Sequence, residues 1–260
     1  MEASGERMAD DAGSHSKVRQ QRWERKAPTE GVWAERRRLA AAFRQVIAHL
    51  TVVDTPEAEL RVAADRLEDY ATHLESHPRR PYLGFAETAI AQEPSSHSEA
   101  EPGEAEENGG GHFDFSPLIG HSNPLSPPIH CWAEDDHALA TVVFGTPYEG
   151  PPGHVHGGYV AAAFDEVLGY AQALTGQPGM TGTLTVKYRR PTPLQTELRF
   201  DCWVDRVSGR KVFASGTLHA GETLCAEAEG IFISMGPERF RALVEARQKQ
   251  RPPAADGRGD

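Results

Sequence analysis

The chain has 260 residues, a formal net charge of -11 at pH 7 and a sequence pI near 5.6. This excess of acid disfavours nucleic acid as the main partner. No apolar run reaches the length of a membrane span, and residues 1–10 lack the apolar core of a signal peptide, so a cytoplasmic protein is expected. Cys131, Cys202 and Cys225 lack metal-ligand spacing and are expected to be reduced thiols.

The N-terminal third is predicted to contain a pair of helices. Residues 1–30 are polar with little apolar periodicity, which predicts a disordered tail. Apolar residues then recur with helical spacing over 33–50. A second helix is predicted from Thr55, whose hydroxyl is typical of a helix cap. We expect a helical hairpin extension over 31–86, which either pads the core domain or a dimer surface or binds a separate partner.

The rest of the chain divides into a linker, a core domain and a tail. Residues 87–112 are rich in Glu, Ser and Gly, which predicts an acidic flexible linker. Residues 113–238 hold enough apolar sequence for one good core, and 239–260 are expected to form a C-terminal helix or tail. Two strands, one long helix and four further strands predict an α+β fold with a sheet wrapped around a central helix. The predicted strands are 129–133, 139–144, 181–188, 197–207, 211–220 and 223–235, and the predicted helix is 157–174.

The segment 156–166, HGGYVAAAFDE, is the most informative in the chain. Its two glycines free the backbone to approach a ligand, and the helix formers after them place Gly157 and Gly158 at a helix N-terminus, with N–H groups directed outward. Asp165 follows eight residues after Gly157, in an otherwise apolar stretch. Amide donors that polarise a carbonyl, together with a half-buried carboxylate, are the parts of an acyl-transfer or hydrolysis site.

The length of this helix limits how the two groups can act together. At about 1.5 Å per residue, Asp165 lies roughly 12 Å along the axis from Gly157, so one chain cannot direct both groups at one carbonyl carbon. Two such helices, antiparallel across a two-fold axis, could combine the amides of one subunit with the carboxylate of the other. A catalytic pair of this kind predicts a homodimer or a dimer of dimers.

Three segments together resemble a known family: HGGYVAAAFDEVLG, MTGTLTVKYRRPTPL and VSGRKVFASGTLHAGETLCAEAEGIFI. They are similar to the hotdog-fold acyl-CoA thioesterases of the phenylacetate-pathway (PaaI-like) type, over about residues 113–235. The resemblance implies a six-stranded antiparallel sheet around the helix and a back-to-back dimer with two interface sites. It also implies hydrolysis of acyl-CoA to a carboxylic acid and free coenzyme A, with no metal or organic cofactor.

The resemblance assigns roles to individual residues. Asp165 matches the catalytic carboxylate, which acts as nucleophile or general base, and Gly157 matches the oxyanion amide donor. His156 matches the histidine that precedes this glycine, and Thr181 matches the hydroxyl that helps to orient the attacking water. Asp165 and Thr181 would come from one subunit and the other two residues from its partner. Some relatives carry Asn or Gln where this chain has Gly150, so a second polar donor comes from His156 or is missing.

The remaining substrate-binding candidates are Gly158 and four basic residues. A basic strand end and a basic turn could pair with the phosphates of coenzyme A, or could be solvated strand termini. These basic residues are Arg189, Arg190, Arg210 and Lys211.

Several alternatives stay open. Glu166 lies about 100° round the helix from Asp165 and should face elsewhere, but it is the reserve carboxylate. The spacing of His154 and His156 could suit a metal, but no acidic or thiol partners stand nearby, so no metal site is expected. Two other functions are retained: a hotdog dehydratase or hydratase acting on acyl thioesters, and a non-catalytic acyl-CoA-binding protein.

Overall fold

The computed structural model describes residues 30–77, 114–127, 129–177 and 179–236, and positions 238, 239, 242 and 246. The predicted linker, nearly all of the predicted N-terminal tail and most of the C-terminal segment lie outside these residues. So does the part of the helical extension after residue 77. Within the described part of the chain, no helix combines the length and the apolar character needed to cross a membrane.

Two helices occupy the N-terminal region, α1 (Gly31–Leu50) and α2 (Glu57–Glu75). The expected cap at Thr55 was wrong, because the N-cap position is Pro56 and the helix has no side-chain cap. The Pro56 carbonyl accepts the amides of Glu59 and Leu60, in the first turn of the helix. The acidic residues Glu57 and Glu59 lie in the first turn, where the positive end of the helix dipole stabilises their negative charge.

The two helices differ in how they pack. In α1, the Arg37 guanidinium donates to the Asp114 carboxylate at 2.8 Å, which fixes the helix to the segment 114–127. Arg44 donates to the backbone carbonyl of Asn123 at 2.9 Å. By contrast, α2 has no buried residue, and the leucines of its predicted apolar stripe are 42–47% exposed. The prediction that the extension pads the core domain therefore describes α1 and does not describe α2 in the single chain.

A six-stranded antiparallel sheet and one long helix form the core domain. The strand order in the sheet is β1-β2-β4-β5-β6-β3. The number of strands and their order along the chain agree with the prediction, and each strand or helix begins and ends within two residues of its predicted position. The hotdog prediction is confirmed. The elements are β1 (His130–Glu134), β2 (His137–Val143), α3 (Gly157–Leu174), β3 (Gly179–Tyr188), β4 (Glu197–Ser208), β5 (Lys211–Ala220) and β6 (Thr223–Ser234).

The core lies between α3 and the face of the sheet that the helix covers. Alternate residues of β5 are buried there, as expected for a strand with one face toward the core. From the helix, Phe164 is fully buried and meets Phe200 of β4 edge to face, with ring centroids 5.0 Å apart. The three cysteines are buried in this domain and are free thiols.

The strand β3 differs from the central strands. It lies at the edge of the sheet, bonded to β6 alone among the described strands, and most of its ten residues are exposed. An edge strand presents unpaired backbone donors and acceptors to solvent or to another chain. The candidate site lies between this strand and α3.

Candidate active site

The structure joins Asp165 and Thr181, which lie sixteen residues apart in the chain. Asp165 lies on the flank of α3 that faces β3, and its side chain is partly buried. The Thr181 hydroxyl donates to Asp165 Oδ1 at 2.7 Å. Because this bond occupies one carboxylate oxygen and fixes its rotamer, Oδ2 is left for a ligand.

A β-bulge in β3 turns Thr181 toward the helix. Thr181 pairs with Phe232 and Thr183 pairs with Ile231, so Gly182 is the extra residue between them. Side chains alternate along a strand, and without the extra residue Thr181 would point to the outer face of the sheet. The bulge moves it to the face that carries the fully buried Phe232, where it reaches Asp165.

His156 caps the N-terminus of α3. Its Nδ1 accepts the backbone N–H of Gly158 at 3.0 Å. Its own backbone N–H donates to the carbonyl of Tyr148 at 2.8 Å, which ties the preceding loop to the helix start. A neutral imidazole that accepts at Nδ1 carries its proton at Nε2, so the outer ring nitrogen is a donor.

The capping pattern leaves the Gly157 amide for a ligand. The amides of Tyr159 and Val160 both donate to the His156 carbonyl, at 2.9 and 3.4 Å, and the Gly158 amide is held by the His156 ring. Among the described residues, none accepts a hydrogen bond from Gly157 N–H. Helix N-termini satisfy such amides with side chains, water or ligands.

Gly150 stands where some relatives carry a polar side chain. A Cβ atom at this position would lie 2.7 Å from Cα of His156 and 3.2 Å from its backbone nitrogen. The loop backbone therefore runs against His156 too closely for any side chain. A second polar donor cannot come from position 150, and Nε2 of His156 is the donor available on this side.

A cavity of about 350 Å³ opens beside the first turn of α3. Arg189 and Arg190 both reach it from the end of β3, but they differ in their partners. Arg189 Nε donates to Glu227 at 2.5 Å, on the neighbouring strand. Within the described ranges, no acceptor lies within hydrogen-bond distance of the Arg190 guanidinium. The lining residues are Pro151, His154, Val155, Gly157, Val160, Tyr188, Arg189, Arg190, Pro191 and Thr192.

The other two basic candidates lie far from this cavity in the same chain. Arg210 donates to the carbonyl of Ser234, and Lys211 pairs with Ile233, which in turn pairs with Met180 at the start of β3. Eight residues of strand separate Met180 from the end of β3, which is roughly 26 Å at about 3.3 Å per residue. One chain therefore does not bring the two basic pairs together.

Glu166 faces away from Asp165, as predicted. Its carboxylate accepts the Ser116 hydroxyl at 3.2 Å, in the segment that covers the other flank of α3. Burial raises the pKa of Glu166 to about 6, the Ser116 hydrogen bond lowers it, and the charge of Asp165 adds a smaller rise. The Glu166 carboxylate therefore has a structural role on the covered flank of α3.

The sequence alone assigns no role to Tyr188, which lines the cavity and also bonds to the start of α3. Its side chain is 54% exposed, and its hydroxyl donates to the Gly157 carbonyl at 2.7 Å. Alternation along β3 could have found it, since Leu184, Val186 and Tyr188 share the face that meets the helix. The bond partner itself depends on how α3 crosses the strand.

Comparisons with known proteins agree with the fold and indicate a family. A family model described as the thioesterase superfamily matches residues 152–227. The chain is 35% identical over 108 residues to acyl-coenzyme A thioesterase THEM4 of Bos taurus, which covers 40% of this chain and 44% of the bovine protein. It is 36% identical over 125 residues to a Pseudomonas aeruginosa protein provisionally named an esterase, covering 45% of this chain and 92% of that protein.

A solved crystal structure extends the comparison to the N-terminal part. It belongs to a thioesterase superfamily protein and superposes with a TM-score of 0.64 at 31% sequence identity, covering 80% of this chain and 97% of the other. The fold and the site define a hotdog protein with a helix-borne carboxylate. The chain belongs to the thioesterase superfamily. It matches less than half of the length of the bovine THEM4 relative.

Proposed function

We propose that this protein hydrolyses acyl-CoA thioesters to a free carboxylic acid and coenzyme A. The observation that carries the proposal is the 2.7 Å hydrogen bond from Thr181 to Asp165, on the helix whose first amide is open to a ligand. Membership in the thioesterase superfamily supports the reaction class, and the bovine relative is named an acyl-coenzyme A thioesterase. A cytoplasmic location remains a prediction from the sequence.

We infer that the site is completed by a second copy of the chain. Gly157 lies at the Tyr188 end of β3, and Asp165 lies beside Thr181 near the other end. A two-fold axis perpendicular to the sheet would pair the exposed β3 edges antiparallel. The same rotation would bring Gly157 of the partner subunit beside Asp165. One two-fold axis would therefore both pair the exposed β3 edges and combine Gly157 of one subunit with Asp165 of the other. Either a dimer or a dimer of dimers contains such an axis.

Within such a site, each group has one task. The Gly157 amide, with Nε2 of His156 beside it, stabilises the negative charge that develops on the thioester carbonyl oxygen. Oδ2 of Asp165 accepts a proton from water as the water oxygen bonds to the acyl carbon. The C–S bond then breaks, and the thiolate of coenzyme A takes up a proton. Direct attack by Oδ2 followed by hydrolysis would give the same products.

The basic residues suit the nucleotide end of the substrate. Arg190 is the guanidinium available for a phosphate at the mouth of the cavity beside Gly157, because Glu227 holds Arg189. In the proposed dimer, antiparallel pairing of β3 would bring Arg210 and Lys211 of the partner subunit toward the same end. The two basic pairs that one chain separates would then lie at the same end of the paired strands, near the phosphates of coenzyme A.

Thiol release from a panel of acyl-CoA substrates tests the proposal, with the Asp165→Asn variant as the matched control. We expect turnover in the wild type for at least one acyl class and its loss in the variant. Binding of acyl-CoA without thiol release would favour the non-catalytic acyl-CoA-binding protein. Hydration or dehydration of enoyl or hydroxyacyl substrates, without thiol release, would favour the hotdog hydratase.

A further inference from the structure

Tyr188 connects the end of β3 to the first turn of α3. Its hydroxyl donates to the Gly157 carbonyl oxygen at 2.7 Å. A Cβ atom on Gly157 would lie 3.3 Å from that hydroxyl oxygen and 3.5 Å from Cε1 of the ring. Strand and helix therefore approach so closely here that any side chain at position 157 would press on the tyrosine. Tyr188 and Gly157 also share a wall of the cavity beside the helix start.

Two hydroxyl groups of β3 form hydrogen bonds with the two functional residues of α3, Asp165 and Gly157. Near the start of β3, Thr181 donates to Asp165, and at its end Tyr188 donates to the carbonyl of Gly157. The Gly182 bulge makes this arrangement possible, because it puts Thr181 on the same face of the strand as Tyr188. The edge strand thus sets the position of α3 at both ends of the segment 157–165.

The first turn of α3 needs such a restraint. Helix ends fray, and two adjacent glycines have more backbone freedom than any other pair of residues. The His156 ring accepts the Gly158 N–H, which belongs to the same planar peptide group as the Gly157 carbonyl. The Tyr188 hydroxyl holds the carbonyl end of that group, so the two bonds together restrict rotation at Gly157, and with it the direction of the Gly157 N–H.

We propose that Tyr188 is a positioning residue, which holds the Gly157 amide in the direction needed to bind the thioester oxygen. The inference rests on the proposed function, because the amide has a catalytic task only if the chain hydrolyses thioesters. Tyr188 acts through Gly157, and its hydroxyl does not contact the reacting atoms. Its contribution should therefore affect the step in which charge develops on the carbonyl oxygen rather than the affinity for substrate.

The test is the Tyr188→Phe variant, which keeps the ring against Gly157 and removes only the hydroxyl. We expect kcat for acyl-CoA to fall about tenfold while KM changes less than twofold, since the loss is one hydrogen bond that sets orientation. Hydrogen exchange should rise in parallel at the amides of Gly158, Tyr159 and Val160. The matched control is Tyr159→Phe, which removes a hydroxyl from the same helix end. Within the described part of the chain, the Tyr188 hydroxyl and not the Tyr159 hydroxyl bonds to Gly157, so kcat and exchange should stay at wild-type values in this control.

Each outcome has one meaning. Unchanged kcat in folded Tyr188→Phe protein, with unchanged exchange, overturns the proposal. A rise in KM alone also overturns it, because it would show that the hydroxyl binds substrate. If the wild type releases no thiol from any acyl-CoA, the proposed function fails and the exchange measurement alone decides whether Tyr188 holds the turn. Loss of turnover in Asp165→Asn but not in Tyr188→Phe leaves the function standing and overturns this inference.

Discussion

The two flanks of α3 present neighbouring carboxylates to different surroundings. On one flank, Asp165 faces the edge strand β3 and meets the Thr181 hydroxyl beside an exposed strand edge. On the other flank, Glu166 lies under the segment 114–127, where it accepts the Ser116 hydroxyl. The residues are adjacent and chemically alike. The difference between them is made by what packs against each flank.

That difference shows where function can develop on this fold. The covered flank is closed by a segment that is itself held down, since Asp114 is nearly fully buried and bound by Arg37 of α1. The β3 flank has instead a mostly exposed edge strand, together with the open amide of Gly157. We therefore expect changes on the β3 flank to alter turnover and changes on the covered flank to alter stability.

The largest expected effect is the loss of turnover in Asp165→Asn. This change keeps the size of the side chain and its bond to Thr181 but removes the base, so kcat should fall by about 10²–10⁴ in a folded dimer. Glu166→Gln is the matched control on the other flank and should keep wild-type kcat. Steady-state thiol release measures both. Loss of turnover in Glu166→Gln, with wild-type kcat in Asp165→Asn, would show that Glu166 is the catalytic carboxylate and that the contrast between the flanks is wrong.

The sequence predicted the fold well because its signals are local. Glycine and proline breakers bound the strands, and the apolar pattern of 157–174 has one period throughout. The cap at Thr55 was wrong by one position, because the N-cap position is Pro56 and the helix begins at Glu57. Helix ends are defined by backbone geometry that varies by one or two residues, which a sequence pattern does not fix. The exposure of α2 also could not be predicted, since an apolar stripe shows that a surface can be buried but does not show what buries it.

The candidate site was predicted in part for the same reason. The spacing of Gly157 and Asp165 follows from helix geometry, and it led to the prediction that two subunits share the site. The bond from Thr181 to Asp165 required the Gly182 bulge, which changes the alternation that a sequence pattern assumes. The pairing of Arg189 with Glu227 depends on strand register. The sequence therefore could not show which of the four basic residues is free to bind a phosphate. Long-range register is the part that local pattern does not contain.

A second large effect should follow from removing the amide of Gly157. Gly157→Pro deletes this N–H at the first helical position, where proline is tolerated. His156 already has φ -61° and ψ 130°, a conformation that suits a residue before proline. Loss of one oxyanion donor should lower kcat by about 10²–10³. Gly157→Ala adds a comparable Cβ but keeps the amide, so it measures the steric part alone and should lose much less.

A site shared between subunits can be tested by mixing the Asp165→Asn variant with the Gly157→Pro variant. After subunit exchange, half of the dimers combine one Asp165→Asn chain with one Gly157→Pro chain, and each holds one complete site. The mixture should therefore recover roughly a quarter of wild-type activity. Native mass spectrometry checks that the exchange took place. Verified heterodimers without activity would mean that each site lies within one chain, and the two-fold arrangement of α3 and β3 would be wrong.

A smaller effect distinguishes the two arginines at the mouth of the cavity. Arg190→Gln should raise KM for acyl-CoA about five- to tenfold with little change in kcat, because a charged hydrogen bond to phosphate is lost in ground and transition states alike. Arg189→Gln should change KM less, since Glu227 already occupies that side chain. Neither variant should affect a short thioester without the nucleotide. Equal losses on both substrates would assign Arg190 to structure, and the phosphate site would lie elsewhere.

The smallest effect concerns stability on the covered flank. In the folded protein, burial raises the pKa of Glu166 from its ordinary value of 4.5 to about 6, so between these values the folded state binds more protons than the unfolded state. Stability is therefore lost as the pH rises through this window, by about 1–2 kcal/mol for this group. Glu166→Gln has no charge to bury and still accepts from Ser116. Its Tm should equal that of the wild type near pH 4 and exceed it at pH 8. A gap that is widest at pH 4 and closes at pH 8 would mean that the charged form of Glu166 stabilises the fold, and that the flank is less enclosed than its contacts indicate.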